Sequence, residues 1–363
     1  LESDHMPIAE FTLFRTAPNF TLDQRVAALA ESMRLYNAAG TTIVAGSTSG
    51  AGGSHGGRGG ENGTSVSNAS YGRIEDGLFL GSGGGASSYG PAGNGGGRVS
   101  ITAGTLLVLG TIHADGGAGG GNLAGGGSGG SIRVVVDSLS GSGQLRARGG
   151  NPGASGVGGG GGGRVVVYFT TSTFATSNFD LRGGSSAGGN NGSAGTLYLK
   201  DSAAALGDLI VDNEGVSSGK DTPLLTALAS LRTTTVLGSG RLSVPTSVTL
   251  GTVAVSGGTL TLASNISIPT GSDLTITASG QLVVSSGTIL TLGSFDATNV
   301  QSGQLQVATG GRLNVDAAIR SCSSSAPIPP PPSAPSGLTA TAGVGQVALS
   351  WRSTRLGFWG AKK

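Results

Sequence analysis

A glycine-loaded repeat of about 33 residues constrains this chain more than any other feature. Each copy couples a short apolar strand to Gly-Gly turns. The first reads Gly96-Gly97-Arg98-Val99-Ser100-Ile101, then Leu106-Leu107-Val108, and closes on Ile112-His113-Ala114-Asp115-Gly116-Gly117. The second runs from Gly129-Gly130-Ser131-Ile132 to Leu145-Arg146-Ala147-Arg148-Gly149-Gly150, and the third from Gly162-Gly163-Arg164-Val165 to Phe179-Asp180-Leu181-Arg182-Gly183-Gly184. A fourth opens at Gly195-Thr196-Leu197-Tyr198-Leu199. Self-similarity at a fixed period marks a stacked architecture in which each copy buries its apolar edge against its neighbours. The expected fold is all-β, an elongated parallel β-helix or β-solenoid with glycine-rich turns, preceded by one short helix.

Glycine supplies 71 of the 363 residues, but without a Gly-X-Y period and with only 13 prolines, which excludes collagen. Disorder is excluded on other grounds. Val, Ile, Leu and Thr recur in short runs and charged residues are only 11%, whereas a disordered chain is poor in β-branched residues and rich in charge. The long glycine runs must satisfy their amides, either as solvated corners or as extended polyglycine II-like segments bonded side by side; their periodic placement favours the second.

The formal charge of +2 and the scattered basic residues leave no electrostatic footprint for nucleic acid. The single cysteine, Cys322, permits no internal disulfide. No apolar run reaches the ~18 residues of a membrane helix, so no direct membrane insertion is expected of this sequence. The N-terminus reads as a fragment edge.

Five regions follow from composition. In residues 1–45, Thr21 is an N-cap for a helix over 21–36 with Val26, Leu29, Ala30 and Met33 on one face; it serves either as a cap on the stack or is a truncation remnant. Residues 46–200 form the glycine-rich array. In 201–320 glycine falls and short alternating strands take over, from Leu242-Ser243-Val244 to Leu313-Asn314-Val315, suiting a second β-solenoid, with a sandwich as the competing reading. Residues 321–335 are a stiff proline spacer. In 336–363, Gly337-Leu338-Thr339-Ala340-Thr341 and Gln346-Val347-Ala348-Leu349-Ser350-Trp351 look like the first two strands of a fibronectin type III domain, cut short of the ~100 residues such a sandwich needs.

On Gly53-Ser54-His55-Gly56-Gly57-Arg58-Gly59-Gly60, Tyr71-Gly72, Leu80-Gly81-Ser82-Gly83-Gly84-Gly85 and the strand copies ending in Leu197-Tyr198-Leu199-Lys200, the segment 50–200 resembles the glycine-rich region of large bacterial secreted or surface proteins and of plant glycine-rich proteins. The 202–318 region is similar, less specifically, to adhesin β-solenoids. The resemblance implies a secreted or cell-surface location and a structural or adhesive role; polysaccharide or extracellular matrix is the expected partner.

Little chemistry stands out against this background. His5, His55 and His113 have no second His or Cys at ligand spacing, so neither a metal nor a cofactor is expected. His55, beside Arg58 and Glu61, reads either as an anion or sugar contact or as a polar group bonded to nearby backbone amides. His113, Arg146, Arg148 and Arg182 fall near equivalent repeat positions and form either a weakly basic ladder or solvated outward residues. Asp115, Asp137 and Asp180 occupy different repeat positions, so no acid pair for glycoside hydrolysis emerges. Thr259-Leu260-Thr261 and Leu274-Thr275-Ile276-Thr277 suggest a threonine face for ice or a crystalline polysaccharide, against the plain reading of threonine as a good strand former. The Asn-x-Ser/Thr sites at Asn62, Asn68, Asn191 and Asn265 fit surface turns. The expected function is non-enzymatic and structural or adhesive; the alternatives are a polysaccharide-binding or polysaccharide-degrading β-helix and an ice-binding protein.

Overall fold

The computed structural model describes residues 50–63, 65–293, 300 and 304–315, and the backbone of two further strands, Thr339–Gly343 and Gln346–Ser350. The expected N-terminal helix, His5, Cys322 and the proline spacer lie outside the described residues. Regular structure is nearly all β; the one helical element among the described residues is a single 3-10 turn, Thr176–Asn178.

The repeat sets the pairing. Arg98 stands opposite Ser131, Ser131 opposite Arg164, and Arg164 opposite Thr196, so each strand of the array pairs in parallel with its own counterpart one copy later. These strands begin a 12-stranded sheet that continues through Asp208–Asp212, Ser230–Leu237, Thr249–Ser256, Ile266–Ile268 and Ile289–Leu292 to Arg312–Val315. Thr111–His113, Gln144–Arg146 and Phe179–Asp180 stack as a separate three-stranded parallel sheet. Arg241–Val244, Thr259–Leu262, Gln281–Val284 and Leu305–Val307 stack likewise, with Thr222–Pro223 at the head of a five-stranded sheet. The strands Thr339–Gly343 and Gln346–Ser350 pair antiparallel with each other.

One pairing in the long sheet departs from the rest. Thr196–Asp201 meets Asp208–Asp212 antiparallel, with Leu197 opposite Ile210 and Tyr198 opposite Leu209. Successive side chains of a strand point to opposite faces. Before the reversal, Ile132, Val134, Val165, Val167 and Leu197 pack with Leu145, Phe179 and Leu181 in one core. After it, Leu209 and Val211 join Val166, Tyr198 and Ile74 on the other face, and Val236, Val253, Leu260, Leu282 and Leu290 extend that second core. The sheet therefore changes the face it buries where the chain turns back. The strand alternation downstream follows directly: Thr249–Ser256 is one strand with Val253 and Val255 buried and Thr252 and Ala254 half-exposed between them.

The glycine runs are ordered. All six amides of 125–130 donate to other segments, in the order Gly85, Gly158, Gly117, Ser82, Gly161 and Ala114, and those of 158–163 go in the same way to Gly50, Asn190, Gly150, Gly53, Ser193 and Ala147. Every third residue thus returns to the same neighbour, as a left-handed extended chain with three residues per turn requires. This is the polyglycine II pattern, and it satisfies the backbone without strands or solvent. The segments lie too close for side chains: a Cβ on Gly160 would sit 2.0 Å from the Gly127 oxygen, and one on Gly130 would sit 1.8 Å from the Gly97 oxygen.

Candidate functional site

Two places concentrate polar side chains. The first is the bend at 54–58, where the backbone is fixed by side chains: the Ser54 amide donates to Asn68 Oδ1 at 2.8 Å, the Gly59 amide to Ser54 Oγ at 2.9 Å, and Asn68 Nδ2 to Ser82 Oγ at 3.2 Å. His55 sits at the centre with no exposed surface; its Nδ1 donates to the Gly129 carbonyl at 3.0 Å and its ring lies 4.8 Å from that of Tyr71. Burial, with the Arg164 charge adding to it, lowers the His55 pKa to about 3, so the imidazole is neutral. Burial likewise pushes Tyr71 up to about 12. His55 is thus an enclosed, neutral ring bonded to the backbone. Asn68, almost fully buried in the same knot, is not a surface turn. Arg58 is at the rim, its Nη2 donating to Glu61 Oε1 at 3.1 Å, and Glu61 also pairs with Lys220.

The second place lies on the opposite side of the long sheet. The three-stranded sheet ends at Phe179–Asp180, and the reversal gives it no successor, so the apolar face it covered is left open beyond that strand. The result is a cavity of about 470 Å³ floored by Leu181, Leu197, Ile210 and Leu237. Its polar wall is made of residues one repeat apart. Arg148 pairs with the buried Asp180, and its Nε donates to the same carboxylate at 2.5 Å. Arg182 Nη1 reaches Glu214 at 3.0 Å, with Nη2 3.7 Å from Asp180. The ladder continues upward through Arg146, whose Nε donates to Asp115 at 2.7 Å, to His113, 3.8 Å from Asp115. The expected basic ladder does stack, but it is threaded with carboxylates and is not a basic surface.

The turn that carries Asp212 and Glu214 is held firmly. Asn213, fully buried between them, accepts the Gly183 amide at 2.8 Å and donates to the Gly192 and Val216 carbonyls, pinning the turn to the glycine bundle. Asp212 Oδ1 accepts the Glu214 amide at 2.7 Å, and Glu214 takes a positive φ of 48°. Burial, then the neighbouring Asp180, raises the Glu214 pKa; Arg182 opposes this. For Arg148, burial works against the charge, but the Asp180 bond outweighs it and the pKa rises. Gln144, Thr176 and Ser177 complete the rim.

No acidic cluster is visible within the glycine-rich repeats alone, because only Asp180 of this group lies in them. Asp180 shares the cavity with Asp212 and Glu214, which lie just past that array, and the separations of 32 between Arg148 and Asp180 and between Arg182 and Glu214 fall within a residue of the repeat. The four threonines of the suggested face are divided: Thr259 and Thr261 belong to the five-stranded sheet, Thr275 and Thr277 to the long one. Among the described residues no group of three or more His, Cys, Asp or Glu is arranged to hold a metal, and no helix is long and apolar enough to cross a membrane. No protein-family model, curated protein or solved structure matches the chain.

Proposed function

We propose that this chain is a rigid structural or adhesive element of the cell exterior, an elongated β-solenoid buttressed by its glycine bundle, that holds polysaccharide or matrix through repeated weak contacts. The observation that carries the reading is the parallel register on either side of the reversal, in which each strand repeats the outward positions of the one before it. Such repetition turns weak single contacts into avidity without a deep site. The outward residues support it: Thr235 aligns with Ala254 and Thr275, and Thr249 with Ser267 and Thr291, two rows of small uncharged groups, while Thr252 aligns with Thr233, which bonds the Asp208 carboxylate at the head of a third. Ice binding draws less support, because the threonine pairs fall on two sheets and the rows are interrupted by Leu237 and Val283.

The test is an array of immobilised polysaccharides and matrix proteins probed with the whole chain. Retention on one polymer class that weakens steeply when the polymer is shortened supports multivalent adhesion. Absence of retention on every surface by folded protein removes the adhesive role and leaves a spacer. A polysaccharide-degrading reading is favoured by one observation, the gathering of Asp180, Asp212 and Glu214 in an open groove, and release of reducing ends from a retained polymer would establish it.

A further inference from the structure

The groove beside the reversal has a chemistry distinct from the repeated outer face. Its apolar lining is aliphatic apart from Phe179, and its polar lining includes planar groups, the Gln144 amide, the Arg148 guanidinium and the Asp212 and Glu214 carboxylates. Planar groups of this kind bond two adjacent hydroxyls at once, and an aliphatic floor accepts the C–H face of a pyranose ring. Charge narrows the ligand further. Three carboxylates, Asp180, Asp212 and Glu214, face two guanidinium groups, Arg148 and Arg182, both already engaged with those carboxylates. An anionic sugar would meet an excess of negative charge. Asn213 fixes the Asp212–Glu214 turn in advance, so little ordering remains to be done on binding.

We propose that the groove is a binding site for a neutral saccharide, held through paired hydroxyls by Gln144, Asp212 and Glu214 over the Leu197–Ile210 floor. The inference goes beyond the adhesive reading and stands apart from it: short soluble sugars report on the groove alone, whereas retention on immobilised polymers reports on the repeated face.

The experiment is calorimetric titration of the full chain with soluble gluco-, manno-, galacto- and xylo-oligosaccharides and, in parallel, with an oligogalacturonate. Gln144→Ala and Asp212→Asn serve as variants; Gln144 is exposed, and the amide introduced by Asp212→Asn keeps an oxygen that can accept the Glu214 N–H. The expected result is binding of at least one neutral series, no binding of the uronate, and a loss of about tenfold or more in affinity in each variant, with unfolding midpoints unchanged. Failure of every neutral series at about 10 mM, tighter binding of the uronate, or affinity unaltered in both variants overturns the proposal.

Discussion

Arg164 and Thr196 are register partners in the long sheet, and Nη1 of the arginine donates to Oγ1 of the threonine at 2.8 Å. The rest of the fork, Nε and Nη2, holds the Tyr71 carbonyl at 3.2 and 3.1 Å, so a single buried guanidinium ties the sheet to the segment that covers it. Burial lowers its pKa to about 10, which leaves it charged at neutral pH. Arg164→Ala vacates that volume and orphans two acceptors, and should cost about 3 kcal/mol or more in urea unfolding. Arg164→Lys should recover only part, because an ammonium lacks the planar fork. A loss under about 0.5 kcal/mol for the alanine variant would show that the tie contributes nothing.

The glycine bundle makes a position-specific prediction. A Cβ on Gly160 meets the Gly127 oxygen at 2.0 Å and its carbon at 2.4 Å, whereas a Cβ on Gly97 meets nothing within 4 Å. Gly160→Ala should therefore destabilise by about 3 kcal/mol or prevent folding. Gly97→Ala should be neutral or slightly stabilising, through the stiffer unfolded chain. Equal effects of the two substitutions, read from thermal unfolding, would mean that the segments are not packed as described.

Acid should weaken the fold through His55. Its folded pKa of about 3 is below the unfolded value near 6.5, so the unfolded state takes up the proton first. The contribution is complete above pH 6.5 and is lost as pH falls from there toward 3, by up to about 1.4 kcal/mol per pH unit for this one proton. His55→Gln removes the titration, and its stability should fall less steeply than that of the parent between pH 6 and 4. Parallel slopes would place the acid sensitivity elsewhere.

In the groove, Asp180 is buried and depends on Arg148. Arg148→Ala should destabilise by about 1–3 kcal/mol, and Asp180→Asn should cost less when Arg148 is already gone. A double-mutant cycle measures this coupling. A coupling near zero would mean that solvent screens the pair.

Much of this architecture is legible in the chain. The copies at Gly96, Gly129, Gly162 and Gly195 fix which strands stack, and runs such as Ile132–Val136 fix where they lie, because a repeat can bury its apolar edge only against its own kind. The glycine packing is legible as a preference, since six consecutive amides without side chains must find partners somewhere. The reversal between Asp201 and Asp208 has no such mark: Ser202–Gly207 is an ordinary small-residue turn, and parallel and antiparallel pairing of the strands it joins have the same alternation. With the reversal hidden, the groove was hidden too. A signal for its wall did exist. Asp180 lies 32 residues after Arg148 and Glu214 32 after Arg182, one short of the 33-residue period, so opposite charges about one period apart mark the ladder without coordinates.

The central claim is that the glycine runs are a packed, hydrogen-bonded bundle that stiffens the stack, and amide hydrogen exchange tests it most directly. Peptides spanning 125–130 and 158–163, whose every amide donates to another segment, should exchange as slowly as the strands Ser131–Ser140 and Arg164–Phe169 that follow them. Exchange of those glycine amides at the rate of an unprotected chain, while the strands stay protected, would contradict the account.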